Sequence, residues 1–363
     1  MQKRLLVGTR KGLFTFVDDG KPGAPRWRIA DKRFIGVPVP MVMHDRRDGA
    51  LYAALDHGHF GNKLHASRDG GATWEEVGVP AYPAQDDKDE AVSLKLVWSL
   101  AAGGEAEPGR LWCGTLPGGL FTSTDSGATW RLVESLWNSD GRKKWFGGGA
   151  DHPGIHSICV DPRDHRRLVL GVSCGGVQVS EDSGATWRVS SEGMRADYMP
   201  PDRRHDPDVQ DPHCIVQCAA SPAHFWCQHH NGIWRSTDDA AHWEEVTDVE
   251  PSTFGFAVAV HPEDPDTAWL VPAQKDEARY PVDGQVVVNR TRDGGRSFET
   301  LREGLPQDDA YDLTFRHALD IDDGGDRLAF GSTTGNLWFT ADQGDSWQVL
   351  SHHLPPVYVV RFA

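Results

Sequence analysis

The sequence predicts an all-β protein, a seven-bladed β-propeller of four-stranded antiparallel blades. Three observations predict it. One octapeptide recurs with a period of about 55 residues, in the 20–50-residue class of radial and stacked repeats or just above it. Each period holds four short strand-like runs. The two chain ends each supply part of one further blade.

The octapeptide is plainest at Ser67-Arg68-Asp69-Gly70-Gly71-Ala72-Thr73-Trp74. It returns at 123–130 (Ser-Thr-Asp-Ser-Gly-Ala-Thr-Trp) and at 180–187 (Ser-Glu-Asp-Ser-Gly-Ala-Thr-Trp). More divergent copies lie at 236–243, 291–298 and 340–347. The central Asp falls at 69, 125, 182, 238, 293 and 342, so the gaps are 56, 57, 56, 55 and 49. A seventh, eroded period precedes them. It runs from Gly8-Thr9-Arg10-Lys11-Gly12-Leu13-Phe14 to Trp27, 47 residues before Trp74. We call the octapeptide the box. Its Asp is suited to accept turn N–H groups, its Gly to a left-handed backbone, and its aromatic to packing between neighbouring sheets. The box residues are therefore read as turn-holders and not as chemistry.

The box resembles the Asp-box (BNR) repeat of sialidase-like and sortilin-like propellers, and the resemblance covers nearly the whole chain. The overall pattern is similar to bacterial sialidase-like, or WD40/YVTN/BNR-like, repeat proteins. It implies one propeller domain over 1–363.

The strand runs are clearest in the fourth period. Ile155–Val160 ends at the turn Asp161-Pro162-Arg163-Asp164. Arg167–Val172 and Gly176–Ser180 follow, and after the box comes Trp187-Arg188-Val189. Four short strands repeated radially make a propeller blade. Closure can be read from the ends. Lys3–Thr9 is a second-type strand with no first strand before it. Residues 356–363 form a first-type strand with no blade after it. Pairing Val357–Phe362 with Leu5–Gly8 completes the first blade and removes an open edge.

Composition agrees. Fourteen Trp, 39 Gly and 23 Pro suit tight turns and a recurrent packing aromatic. With 37 Lys+Arg against 53 Asp+Glu the net charge is −16, which argues against nucleic acid as a general partner. The six Cys form no CxxC pair, no 18-residue apolar run is present, and the start, with three apolar residues before Gly8, does not read as a signal peptide. The expectation is a cytoplasmic protein with reduced thiols and no membrane segment.

Strand polarity puts first-to-second turns and boxes on one side, and second-to-third loops and blade connections on the other. The family resemblance implies that the latter side binds ligand. Three connections there are long, at 78–92, 134–153 and 191–212, as expected for a binding face. The same loops carry Arg10, Lys11, His57, His59, His152, His156, His213, His229, His230, Lys275, Arg279, Tyr280 and Arg316. A cationic, imidazole-rich set on an acidic protein suits an anionic or polyhydroxylated small molecule.

Two readings remain open. In the first the chain is a hydrolase or lyase acting on an anionic carbohydrate or related small molecule. His156, His230 and Tyr280 are then the proton-transfer residues, and Arg10, Lys11, His57, Lys275, Arg279 and Arg316 hold the substrate. No cofactor is expected. His57 and His59 are the weak candidates for a transition-metal site, since imidazole suits such ions. His229 and His230, being adjacent in a strand, should point apart. The chain lacks an Arg-Ile-Pro element, and no three arginines match the sialidase triad by motif, which argues against true sialidase activity. In the second reading the propeller is a non-catalytic platform for a protein or small molecule, with Trp137, Trp145, Phe146 and Tyr198 on its surface. Convergence of acid/base groups on one position separates the two.

Overall fold

The computed structural model of the chain describes residues 3–21, 25–84 and 92–363. Residues 85–91 of the long 78–92 connection therefore lie outside the described residues. The fold is a seven-bladed β-propeller, each blade a four-stranded antiparallel sheet.

Blade I comprises Val357–Phe362, Arg4–Thr9, Gly12–Asp18 and Trp27–Arg33, and blade II comprises Met41–His44, Leu51–Asp56, Asn62–Ser67 and Glu75–Val77. Blade III comprises Leu96–Ala102, Leu111–Leu116, Leu120–Ser123 and Arg131–Leu132, and blade IV Gly154–Val160, Leu168–Ser173, Gly176–Ser180 and Arg188–Val189. Blade V comprises Pro212–Gln217, Phe225–His229, Gly232–Ser236 and Glu244–Val246. Blade VI comprises Gly255–Val260, Ala268–Pro272, Val288–Thr291 and Glu299–Leu301, and blade VII Leu319–Ile321, Leu328–Gly331, Leu337–Thr340 and Gln348–Ser351. The expected strands of the fourth period match blade IV to within one residue at each end, and the predicted closure forms in register. Leu5 faces Phe362, Val7 faces Val360 and Gly8 faces Val359.

The chain divides into two compact units. One is Met1–Val42, Val216–Arg235 and Glu245–Ala363, the other Met43–Ile215 and Ser236–Glu244. Blades I, VI and VII belong wholly to the first unit, and blades III and IV wholly to the second. In the first unit Trp269, Phe330, Trp338 and Trp347 build one buried cluster and Leu5, Val7, Phe339 and Val357 another. In the second, Trp112, Trp145, Ile155, Leu168 and Leu170 pack together.

The boxes show why the octapeptide repeats. Ser67 Oγ donates to Asp69 Oδ1 at 2.8 Å, and the N–H and hydroxyl of Thr73 donate to Oδ1 and Oδ2 at 2.9 and 2.6 Å. Asp125, Asp182, Asp293 and Asp342 repeat this geometry with Thr129, Thr186, Ser297 and Ser346. The two residues after each Asp have left-handed backbone, as at Ser126 (φ 58°) and Gly127 (φ 84°). That conformation costs an L-residue roughly 1–2 kcal/mol and glycine almost nothing, hence the Gly. Two of the Trp indoles reach back. Trp130 Nε1 donates to Gly78 O at 2.9 Å, and Trp243 Nε1 to Ser190 O at 2.9 Å.

Of the aromatics of the long connections, Tyr198 stays 39% exposed, whereas the tryptophans pack inward. Trp145 is 7% exposed within the blade III–IV core, and the Trp137 ring lies 3.4 Å from Arg142 Cζ and 4.8 Å from Tyr82. The six cysteines are free thiols. Among the described residues no helix is long and apolar enough to cross a membrane.

Candidate functional site

In the first unit, blade VI opens on Phe254-Gly255-Phe256. The two rings meet edge to face, 5.4 Å apart at 81°, and both are buried together with Ala273 and Leu313. Two guanidinium groups approach the inner ring. Arg279 Cζ lies 5.4 Å and Arg316 Cζ 5.3 Å from the centre of Phe256. Each gains from the ring quadrupole, but two like charges beside one ring also repel one another. Asp276 balances the first of these charges, its Oδ1 lying 2.5 Å from Arg279 Nη2.

The loops holding these arginines are built locally. Arg279 sits in the 274–280 hairpin, closed by Gln274 N donating to Tyr280 O at 2.8 Å and Ala278 N donating to Lys275 O at 3.0 Å. Its Nε donates to both Asp276 O (3.0 Å) and Asp276 Oδ1 (3.1 Å). Arg316 lies on the segment that enters blade VII. That segment is pinned by buried Asp312, which accepts from Ser332 Oγ at 2.5 Å and Asn336 Nδ2 at 2.8 Å, and also from Thr334. Thr333 N donates to Leu313 O at 2.9 Å.

His230 joins the same cluster, its ring edge-on to Phe254 at 6.1 Å and half-buried. His229 before it is fully buried. Its Nδ1 accepts from Asn231 N at 3.0 Å and its ring lies against Trp234. The two imidazoles thus take different environments, as strand alternation requires. Tyr280 lies 6.1 Å from the ring of Tyr311, which is 63% exposed. Lys275 is exposed and pairs with Glu277 at 3.6 Å. Arg10 and Lys11 stand exposed at the tip of the blade I hairpin, where Arg10 N donates to Pro356 O at 2.9 Å. Of the expected site residues, the structure gathers His230, Arg279 and Arg316 on the Phe254–Phe256 pair.

The second unit holds the remaining ones. His156 is fully buried in blade IV. Its Nδ1 lies 3.0 Å from Ser157 Oγ, and its ring stands edge-on to Trp98 at 5.6 Å. His57 is half-buried before the short turn Gly58–Phe60, and His59 is exposed against the Phe60 ring at 3.9 Å. Buried Asp211 accepts from Ser173 Oγ and Cys174 N, both at 3.1 Å, and its other oxygen lies 3.7 Å from His213 Nε2. Burial and then the Asp211 charge hold the Tyr198 phenol above its ordinary proton affinity.

Sequence reasoning passed over Phe254 and Phe256, and it placed Asp312 on the loop into Arg316 without a role. The Phe-Gly-Phe step at the head of a blade was the available signal for the first two. The bonds of Asp312 gave no signal, because its partners lie two strands further along the chain.

No family model matches the chain. An oligoxyloglucan-reducing end-specific xyloglucanase of Emericella nidulans is 34% identical over 79 residues, 22% of this chain and 9% of that protein. A xyloglucanase of Hypocrea jecorina is 23% identical over 158 residues, 41% of this chain and 18% of that protein. The chain thus spans less than a fifth of either curated relative. Among solved structures, the GH74 xyloglucanase from Xanthomonas campestris superposes with a TM-score of 0.64 at 18% identity, over 95% of this chain and 52% of that one. The periplasmic gluconolactonase of Pseudomonas aeruginosa gives 0.63 at 12% identity, over 100% and 99%. YCF48 bound to D1 peptide gives 0.55 at 14%, over 93% and 89%. At such identities these likenesses show the fold.

Proposed function

We propose that this Asp-box propeller is a carbohydrate-directed hydrolase or lyase whose ligand carries a carboxylate. The observation that carries the reading is the convergence of Arg279 and Arg316 on the single ring of Phe256. A planar guanidinium matches a carboxylate in two-pronged geometry, as Arg279 does with Asp276, and Arg316 beside it would favour an anion over a neutral sugar. The exposed Tyr311 ring, with Tyr280 beside it, offers an apolar surface for sugar C–H faces while its hydroxyl stays wet.

His230 is the proton-transfer residue in this reading. Its half-buried imidazole carries a nitrogen that can give or take a proton, and the edge-on Phe254 ring fixes its orientation. Tyr280 is the second proton-transfer group, and Lys275, Arg10 and Lys11 add positive potential to the loops of the first unit. His156, sealed within blade IV, has a packing role. The xyloglucanase likeness of the curated relatives and of the propeller from Xanthomonas campestris supports a saccharide as ligand class.

Titration calorimetry with glucuronate and galacturonate oligosaccharides against neutral xyloglucan fragments tests the reading. Acidic oligosaccharides should bind, and Arg316→Ala or Arg279→Ala should weaken binding about tenfold or more, the worth of one charge-assisted contact. Product analysis of the same mixtures should show cleavage that His230→Ala abolishes. Equal binding of neutral and acidic fragments, unchanged in both arginine variants, would sink the proposal and leave a platform role as the better account.

A further inference from the structure

One arginine contact recurs along the chain. Arg167 donates through Nη2 to the carbonyl of Asp239, Arg235 through Nη1 to Gly294 O at 3.2 Å, and Arg290 through Nη1 to Gln343 O at 2.8 Å. Each acceptor is the residue directly after the Asp of a box, and each box belongs to the blade that follows the arginine. The left-handed turn points that carbonyl outward, and a guanidinium from the preceding blade caps it.

Arg327 stands in blade VII where Arg167 stands in blade IV, one residue before the second strand. The blade that follows is blade I, whose third strand leads into Asp19-Gly20-Lys21 and contains no box. The sequence of blade I thus supplies no box residue whose carbonyl Arg327 would cap. Its Nη1 is buried and, among the described residues, has no acceptor. A cavity of about 780 Å³ occupies the place, lined by Arg327, Lys3 and Lys21, with Phe339 on its wall. Asp18, Asp326 and Asp342 also line it. Asp342 is committed to Thr340 and Ser346 in its own box, Asp18 accepts from the N–H groups of Gly20 and Arg26, and Asp326 accepts from Gln343 Nε2.

We infer that the cleft between blades VII and I binds a small organic oxyanion, whose oxygen takes the place of the missing box carbonyl on Arg327. A buried cationic donor without an acceptor costs free energy that such a ligand recovers. Burial also lowers the proton affinity of the Arg327 guanidinium from its ordinary value, consistent with a desolvated charge that lacks a counter-ion. The volume suits a molecule of sugar-phosphate or sugar-acid size, with its apolar part against Phe339. The inference is independent of the Arg279–Arg316 cluster.

Titration calorimetry of the full chain with glucose 6-phosphate, glucuronate and inorganic phosphate tests it, on the wild type and on Arg327→Gln. One of the two organic anions should bind, and the variant should weaken it about tenfold or more. Arg316→Ala should leave that affinity unchanged, and which organic anion binds separates phosphate from carboxylate chemistry. Thermal melting without ligand guards against misfolding. Arg327→Gln should keep or raise Tm, whereas Arg290→Gln, which loses real partners, should lower it. No heat from any of the three at about 10 mM, far above useful affinity, overturns the inference. So does unchanged binding in Arg327→Gln, loss of binding in Arg316→Ala alone, or inorganic phosphate bound as tightly as the organic anions, which would mean an adventitious ion only.

Discussion

Gly8 and Val359 face each other across the strand pair that completes blade I, and their approach leaves no room for a side chain at Gly8. A Cβ there would lie 2.5 Å from Val359 Cγ1 and 2.6 Å from the carbonyl oxygen of Val39. The valine methyl can turn aside, but the backbone oxygen cannot without moving its strand. Gly8→Ala should therefore destabilise the chain by roughly 1–3 kcal/mol, the usual cost of overpacking. Urea denaturation checks it, and a midpoint equal to the wild type would mean that this seam yields more easily than the geometry implies.

Acid stability should depend on the boxes. Hydrogen bonds from Thr73, Thr129 and Ser297 hold the Asp69, Asp125 and Asp293 carboxyls at about 2, below the usual 3.8. A depressed folded value means that the stabilisation is fully present above pH 3.8 and is lost as pH falls toward about 2. Tm should fall over that window. Asp125→Asn, which no longer titrates, should have a lower Tm at neutral pH and a flatter acid limb. Parallel acid limbs for variant and wild type would remove the boxes from the account.

The box at 236–243 breaks the pattern twice. Ala240 takes a left-handed backbone, φ 60°, where the other boxes place glycine, and its carbonyl accepts from Ser190 Oγ at 2.7 Å. Ala240→Gly should stabilise by about 0.5–1 kcal/mol, the strain released less the added freedom of the unfolded chain. His242 replaces the usual hydroxyl residue, its Nδ1 2.7 Å from Asp238 and its Nε2 3.6 Å from Glu192. The hydrogen bond to Asp238, and then the Glu192 charge, raise its proton affinity above the usual 6.5. Because the folded value is raised, this contribution is complete below pH 6.5 and disappears as pH climbs through the folded value. His242→Thr should erase that slope while leaving the acid limb intact. Melting curves between pH 5 and 9 in half-unit steps would show it, those settings being about two pH units either side of an ordinary imidazole.

The architecture was legible because its determinants are local. A box closes its bonds between positions four residues apart, so its chemistry must appear as a contiguous string. Closure was legible because both end strands are apolar and each lacks a partner type. The Phe256 cluster was only half legible. Arg279 and Arg316 stood out as loop cations, but the ring they share reads in sequence as ordinary strand core. His156 shows the converse limit. Its residue type suggested chemistry, and its full burial against Trp98 and Ser157 could not be read from the sequence.

Asp312 anchors the segment that carries Arg316, the residue proposed to hold a ligand carboxylate. Its carboxylate gathers Ser332, Thr334 and Asn336 and so fixes the segment that carries Arg316 over Phe256. Removing it strands several donors, at a cost of about 1–3 kcal/mol each where they stay buried. Asp312→Ala should therefore lower Tm and weaken acidic oligosaccharides, although Asp312 is not assigned any contact with them. Asp312→Asn keeps one acceptor oxygen in place and should recover most of the affinity with less of the stability. Affinity lost equally in both variants would point instead to direct contact between Asp312 and the ligand. Affinity unchanged in both would mean that Arg316 is held over Phe256 by its own packing, and Asp312 would then serve blade VII alone.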